Sequence, residues 1–280
     1  LARGSFTREQ LGRPWETHRI RSSHGYDLVV HVLPGTRLRI ALFHHGVRWN
    51  WMGSIKYAEA FVREGWTVIA FDARGHGETR GPRPSFGHFE RDDLLSIADW
   101  ALARWPADRG FVVHGESLGG ASALQYAPLD PRIDAVIADC PFSSAREILE
   151  TRLRALHVPR RAIAPVVHLA AILIRATELW RIDEASPRRS ILETSLPILL
   201  IHGSADTYVP TAMSVSMAAE RRRLLPDAIT ELRLVEGARH AAAFRADPAA
   251  YEATVLAFVD AALSHRRSMP TSLASTASLD

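Results

Sequence analysis

The stretch Gly115-Glu116-Ser117-Leu118-Gly119-Gly120 constrains this chain more than any other. An apolar run, Phe111-Val112-Val113, leads straight into it, and a helix-compatible stretch, Ala121 to Ala127, leads out. The context is strand, sharp turn, helix, with a serine at the apex of a G-x-S-x-G turn. Side chains flanking such a turn would collide with the neighbouring strand and helix, and glycine removes the Cβ that collides. The Leu118 amide, at the start of the helix, points toward the space above Ser117, where negative charge is favoured. A serine presented this way is a candidate nucleophile. The string alone is a weak signal, since a Gly-Ser turn of no chemical consequence reads the same, so downstream partners decide.

A serine hydroxyl is a poor nucleophile at neutral pH. It needs a base within hydrogen-bond reach, and the base needs an orienting acid. After a serine in a strand-turn-helix elbow the expected chain order is Asp or Glu, then His. Asp206 stands in His202-Gly203-Ser204-Ala205-Asp206, just past an expected strand Leu196 to Ile201. His240 stands in Glu236-Gly237-Ala238-Arg239-His240, just past an expected strand Glu231 to Val235. The chain has 13 histidines, so some histidine near a strand end is expected, but only His240 stands in the loop directly after the last strand. Asp139, which follows the strand Ile133 to Ala138, competes with Asp206 for the acid. Asp206 is preferred, and Asp139 is read as fixing the start of the next segment.

An oxyanion hole needs two amides. Leu118 supplies one, and Val47, in the loop His45-Gly46-Val47 after the third strand, is the expected second. His44 and His45 have no carboxylate or cysteine at ligand spacing nearby, so no metal site is expected and they are read as bracing the loop. His76 is read as stabilising a turn at the edge of the site, Glu116 as a structural neighbour of the serine, and Cys140 as a packed small hydrophobe. A single cysteine leaves no internal disulfide and no cysteine-based zinc site.

The remaining pattern sets the fold. Expected strands at Glu16 to Arg21 and Leu28 to Leu33 form an antiparallel edge pair, followed by strands at Arg39 to Phe43, Thr67 to Phe71 and Gly110 to Val113. Helices are expected at Ser54 to Glu64, Asp92 to Arg104, Leu118 to Ala127, Thr211 to Leu224 and Pro248 to Leu263. Alternation of this kind implies an α/β fold, a mostly parallel sheet of about eight strands with helices on both faces. The alternation stops between 143 and 186, where helical segments punctuated by Pro159 and Pro165 suggest a helical lid inserted above the C-terminal ends of the strands. The core is then 16–142 with 187–264, the lid 143–186, and 265–280 a disordered Ser/Thr-rich tail. Hydrophobic residues make up 47% of the chain, enough for a large core. Net charge is +3 with acids and bases interspersed, which argues against nucleic acid as a partner. No stretch reaches the roughly 18 to 20 apolar residues of a membrane span. A cytoplasmic location is expected. The chain opens on Leu1 rather than methionine, so a segment upstream of it, and with it membrane association, stays open.

Taken together these residues resemble the α/β-hydrolase superfamily across about residues 16 to 263. The resemblance rests on His45-Gly46-Val47, Asp72-x-Arg74-Gly75-His76-Gly77, Gly115-x-Ser117-x-Gly119-Gly120, Ala138-Asp139-Cys140-Pro141-Phe142, Ser186-Pro187, His202-Gly203-x-x-Asp206-x-x-Val209-Pro210 and Gly237-x-x-His240. Within the superfamily the chain looks most like bacterial serine hydrolases of the prolyl-oligopeptidase and cinnamoyl-esterase types. The resemblance implies a triad of Ser117, Asp206 and His240, an oxyanion hole at Val47 and Leu118, and no cofactor. It implies a small-molecule ester substrate of short to medium acyl chain, cleaved through an acyl-enzyme. Leu153, Leu156, Val166, Val167, Leu169, Ile172, Leu173 and Leu179 would line an acyl pocket from the inner face of the lid. An aminopeptidase or amidase is the alternative enzyme, requiring acids such as Glu147, Glu150 or Glu178 to converge on a substrate amine. The large propeller of the oligopeptidases has no room in residues 1–27. Dehalogenase and epoxide-hydrolase relatives carry Asp where Ser117 stands. A non-catalytic binding protein on the same fold is the alternative outside enzymes. Oligomeric state is not legible in the sequence.

Overall fold

The computed structural model describes residues 14–105, 107 and 110–268. Most of the expected tail, 265–280, falls outside these residues. Eight strands form one sheet in the order β1-β2-β4-β3-β5-β6-β7-β8. They are β1 Glu16–Arg21, β2 Asp27–Leu33, β3 Ile40–His44, β4 Thr67–Asp72, β5 Phe111–Glu116, β6 Ala135–Asp139, β7 Ile198–Gly203 and β8 Thr230–Val235. The pairs β1–β2 and β2–β4 are antiparallel and all others parallel.

Residues alternate across the strands, and the alternation divides the core in two. Ile40 and Leu42 of β3 face one side with Ile69, Phe71, Val113, Val136 and Leu200. They pack on Leu94, Ile97 and Ala98 of α2 (Glu90–Arg104) and on Ala123 and Leu124 of α3 (Leu118–Tyr126). Ala41 and Phe43 face the other side with Val68, Ala70, Val112, Ile137 and Leu199. These meet Ile55 and Phe61 of α1 (Ile55–Arg63) and Val255 and Phe258 of the C-terminal helix (Pro248–Ser268). With both faces covered, β4, β5 and β7 are buried along their whole length, which is why they read as continuous apolar runs. The C-terminal helix runs through Ser268, past the point where a tail was expected.

The chain leaves β3 in one direction to form β4, then crosses back to form β5 on the other side of β3. The carboxyl ends of β3 and β5 therefore flank a topological switch point, where open sheets of this kind bind ligands. Both the His45-Gly46-Val47 loop and Ser117 leave the sheet there.

Between β6 and β7 stand α4 (Ala145–Ala155), α5 (Arg160–Thr177), a short 3-10 turn (Ile182–Glu184) and α6 (Pro187–Ser190). The Ser144 side chain caps α4 by accepting from the Glu147 amide at 3.1 Å. Ile148 of α4 packs with Phe142, Leu118 and Ala121, so α4 rests directly on the elbow helix. Pro165, read from sequence as a break, lies inside α5. It sits in the second turn, where its missing N–H forfeits one bond, to the Arg161 carbonyl, and the helix continues. The expected inward apolar face also differs. In α5 only Ile163 and Val167 are buried, and Leu156, Val166, Leu169, Ile172, Leu173 and Leu179 are all exposed. Helix α5 packs on α4 and not on the sheet, so one narrow stripe is all it needs to bury.

Candidate active site

Ser117 sits between β5 and α3 with φ at +55°, a conformation L-residues with side chains avoid at a cost of roughly 1–2 kcal/mol. Its backbone is held on both sides. The Ser117 amide donates to the Asp139 carbonyl at 2.7 Å, and the Ser117 carbonyl accepts from the Ala121 amide at 2.9 Å. The flanking glycines are needed for close approach. A Cβ on Gly115 would stand 2.2 Å from the Gly119 carbonyl carbon, and one on Gly119 would stand 2.1 Å from the His44 oxygen. The elbow thus wedges α3 against both its own strand and β3.

The loops after β7 and β8 complete a relay. His240 Nε2 lies 2.9 Å from Ser117 Oγ, and its Nδ1 lies 2.7 Å from Asp206 Oδ2. Asp206 is fixed from the other side, since its Oδ1 accepts the amides of Tyr208 (2.8 Å) and Val209 (2.9 Å). His202, fully buried, stands 3.2 Å from Oδ2. Burial pushes the Asp206 carboxyl up, but the hydrogen bonds from His202 and His240 outweigh it and hold it well below the usual carboxylate range. The carboxylate is therefore charged, and it fixes the tautomer that leaves His240 Nε2 as the acceptor facing Ser117. The three residues expected from the sequence are brought together in this order.

The loop after β3 lies against the serine. A Cβ on Gly46 would stand 3.5 Å from Ser117 Cβ and 3.1 Å from Glu116 Oε1, so this backbone lies in contact distance of the serine and its neighbour. Val47 follows, half-exposed. His45 braces the loop by donating from Nδ1 to the Gly46 carbonyl at 2.7 Å and accepting the Ala73 amide on Nε2 at 3.0 Å. Burial and the neighbouring His44 keep the His45 imidazole well below its ordinary pKa, hence neutral, as that acceptor role requires. His76 accepts the amide of Arg48 on Nε2 at 3.1 Å and donates from Nδ1 to the Arg74 carbonyl at 2.9 Å. Arg48 itself has φ at +65°, so His76 pins a strained backbone position next to Val47.

Beneath the elbow is a buried polar cluster that the sequence only half revealed. Glu116 Oε2 accepts from Lys56 Nζ and from the Tyr57 hydroxyl, both at 2.5 Å. The Tyr57 and Tyr251 hydroxyls each lie 3.2 Å from Asp139 Oδ2. Burial, then the charge on Glu116, raises the Asp139 carboxyl to about 6. Glu116 and Asp139 were visible beside the motif, but Lys56, Tyr57 and Tyr251 come from α1 and the C-terminal helix, with no local pattern to mark them. Asp139 thus supports the floor and is hydrogen-bonded to tyrosines, whereas Asp206 holds the histidine. The Cys140 thiol lies near Asp206 and His240, their ligand atoms within 4.8 Å of one another. Burial, reinforced by the charge of Asp139, holds that thiol far above its ordinary pKa, so it is a neutral packed group and a poor metal ligand.

A cleft of about 1020 Å³ opens beside His240. Trp49, Met52, Tyr208 and Phe244 form apolar walls, and Arg48, Arg239 and Arg245 stand around it. Lys56 is neutralised by Glu116, but among the described residues none of the three arginines pairs with a carboxylate. No residue of α4 or α5 lines this cleft.

A family model of the alpha/beta hydrolase fold matches residues 28–162. The Bacillus subtilis protein YqkD, itself uncharacterized, is 34% identical over 245 residues, covering 86% of this chain and 78% of the relative. The chain belongs to the alpha/beta hydrolase fold family. Among solved structures with a similar fold, the Pyrococcus furiosus esterase Pf2001 superposes with a TM-score of 0.74 at 19% identity, covering 94% of this chain and 96% of that one. Thermus thermophilus TT1662 superposes with a TM-score of 0.63 at 19% identity, covering 90% and 99%. The matched segment 28–162 of this alpha/beta hydrolase contains the elbow and the β3 loop but ends before Asp206 and His240, which the three-dimensional contacts join to it.

Proposed function

We propose that the protein is a serine hydrolase that cleaves carboxylic esters of short to medium acyl chain through an acyl-enzyme. The observation carrying this reading is the unbroken line Ser117 Oγ–His240 Nε2 at 2.9 Å and His240 Nδ1–Asp206 Oδ2 at 2.7 Å, at the switch point of the sheet. Ser117 Oγ attacks the acyl carbonyl carbon as His240 Nε2 takes its proton, and Asp206 stabilises the imidazolium that forms. The developing oxyanion is held by the amides of Leu118, at the free N-terminus of α3, and Val47. His240 returns the proton to the leaving alkoxide, and the acyl group remains on Ser117. A water then gives its proton to His240 and attacks the acyl carbon, and Ser117 leaves with the proton returned.

That the Pyrococcus protein is described as an esterase supports ester over amide. The acids named for an aminopeptidase do not support it, since Glu147 accepts from Ser143, Glu150 pairs with Arg154, and none of the three, Glu178 included, lines the cleft. The cleft's single acid, Glu116, is held by Lys56 and Tyr57. The intact serine–histidine–aspartate line likewise disfavours a non-catalytic binder. An organophosphonate probe tests the reading. It should add once, at Ser117, and abolish hydrolysis of p-nitrophenyl esters. An adduct mapped elsewhere, or ester hydrolysis that survives labelling, overturns it.

A further inference from the structure

Among the described residues, helix α5 leaves more large apolar side chains exposed than any other element. It carries no acidic residue, and no formally charged side chain stands between Arg161 and Arg175. Its inner line is satisfied. Ile163 and Val167 are buried, and Ala171 and Ile174 pack toward Trp180 and Ile182. Its outer line is equally apolar. Val166, Leu169, Ile172 and Leu173 are 40%, 57%, 52% and 54% exposed, and Leu156 and Leu179, at its two ends, 70% and 75%. The spacing 166, 169, 173 with 172 beside it makes one contiguous stripe along the helix. Apart from the exposed His168 beside the stripe, the helix is apolar around its circumference between its arginine ends. Such a helix belongs in a core or against lipid, and this one is on the outside.

We propose that α5 docks the protein onto an anionic phospholipid surface, lying in the plane of the interface. Charge selects the occupant. Arg160 and Arg161 stand exposed at one end of the stripe and Arg175 at the other, and none pairs with a carboxylate among the described residues. The nearby acids are mostly engaged, Glu150 by Arg154 and Asp183 by Arg146, leaving Glu178 as the exposed acid closest to the stripe. A second copy packed face to face sets arginines against arginines in either orientation, Arg160 and Arg161 against Arg175 when antiparallel and each end against its own copy when parallel. Lipid phosphates neutralise both ends while acyl chains cover the stripe. The geometry is docking and not crossing, because among the described residues no single helix is long and apolar enough to span a bilayer, and the one pair that is so together, Arg160–Thr177 with Ile182–Ser190, is bent by 93° with Ile182, Pro187 and Ser190 buried in the fold. Through α4, α5 is tied to Leu118 and the elbow, so docking would hold the candidate site close to an amphiphilic substrate without entering it.

The inference does not depend on the hydrolase reading, and the experiment keeps the two apart. Full-length protein is floated on density gradients with vesicles of phosphatidylcholine alone or mixed with phosphatidylglycerol. Wild type and Ser117→Ala should both rise with the phosphatidylglycerol vesicles, stay behind with phosphatidylcholine, and lose binding as salt screens the arginines. The triple variant Leu169→Asp, Ile172→Asp, Leu173→Asp should lose at least about tenfold in vesicle partitioning. It should keep the wild-type melting temperature and hydrolysis of a soluble short ester, since those side chains are exposed. The charge variant Arg160→Gln, Arg161→Gln, Arg175→Gln should lose the preference for phosphatidylglycerol. Wild type that stays at the bottom of every gradient overturns the proposal. So does a charge variant that floats unchanged, or a wild-type dimer that the aspartate variant converts to a monomer, which would make the stripe a contact between copies.

Discussion

Ser117 Oγ lies 2.9 Å from Nε2 of His240, a residue 123 positions further along the chain. Nothing local holds this contact. It exists because β5 and β8 end on the same edge of the sheet and the loop after β8 folds back over β7, where the Ala238 carbonyl takes the Ala205 amide at 3.0 Å. The proposed mechanism has the two groups act as one unit, and that predicts non-additive losses. Ser117→Ala and His240→Ala should each lower kcat for a p-nitrophenyl ester by several orders of magnitude, and the double variant should be no worse than either. Losses that instead multiply in the double variant would mean the two residues act separately.

Asp206 and Asp139 predict opposite outcomes for the same substitution. Asp206 contacts His240 directly, and Asn in its place can donate toward Nδ1 and favour the wrong tautomer. Asp206→Asn should lower kcat by about 10⁴ with the serine still in place. Asp139 touches the hydroxyls of Tyr57 and Tyr251 and not the histidine, so Asp139→Asn should lower kcat less than about tenfold, short of the range for a lost base or orienting acid. Steady-state kinetics on the two purified variants decides, and the reverse ranking would make Asp139 the acid.

What was legible in the sequence follows from which contacts are local. The elbow announced itself because close packing of Gly115, Gly119 and Gly120 forces small residues into adjacent positions. Asp206 and His240 were found by chain order, each standing just past a strand whose apolar run is buried or edge-paired. The acyl-lining role expected of the lid was misread for a physical reason. Periodicity reports that Leu169 and Leu173 share a helix face, but not whether that face meets the core, and α5 turns a different side inward, with Ile163 and Val167 buried and Ala171 and Ile174 packed toward Trp180 and Ile182. The cleft walls were missed because they come from three distant segments, Trp49 and Met52 from the connection after β3, Tyr208 from the loop after β7 and Phe244 from a short helix after β8. Lys56 and Tyr57 were invisible as partners of Glu116 because they reach it across sixty and fifty-nine residues.

The raised Asp139 carboxyl makes a stability prediction with a definite sign. Its value goes from 3.8 to about 6 on folding, chiefly through burial. Between those values the folded state binds more protons than the unfolded, so this residue's contribution is fully present below 3.8 and is lost as pH rises to about 6. The loss is at most about 3 kcal/mol for a shift of this size. Asp206, held low, works the other way and loses its contribution as pH falls. Asp93 is also raised to about 6 by burial, so a pH scan of the wild type alone mixes the groups. The difference isolates Asp139. The melting temperature of Asp139→Asn relative to wild type should climb as pH goes from about 4 to about 7 and then level. A difference that stays flat across that range would mean Asp139 is ionised in the fold at all these pH values.

The cleft beside His240 makes the most direct prediction about substrate charge. Arg48, Arg239 and Arg245 surround it without carboxylate partners, and its single acid is already neutralised by Lys56. Like charges gathered around an opening repel one another, and an anionic ligand relieves that repulsion while the field draws it in. Two p-nitrophenyl esters of similar length, one of valeric acid and one of glutaric acid with its second carboxyl free, isolate the effect. The free carboxylate should raise kcat/KM, mostly through KM, because it binds ground state and transition state alike. Added salt should shrink the advantage, since these side chains are exposed and the Debye length falls to about 3 Å at 1 M. Arg245→Gln, and separately Arg239→Gln, should each reduce the glutarate-to-valerate ratio by several-fold, in keeping with the roughly 1 kcal/mol of a partly exposed ion pair, and leave kcat for the valerate ester unchanged. A ratio of one in the wild type, or a ratio that neither variant moves, would show that the arginines are solvated bystanders and that the apolar walls alone select the acyl group.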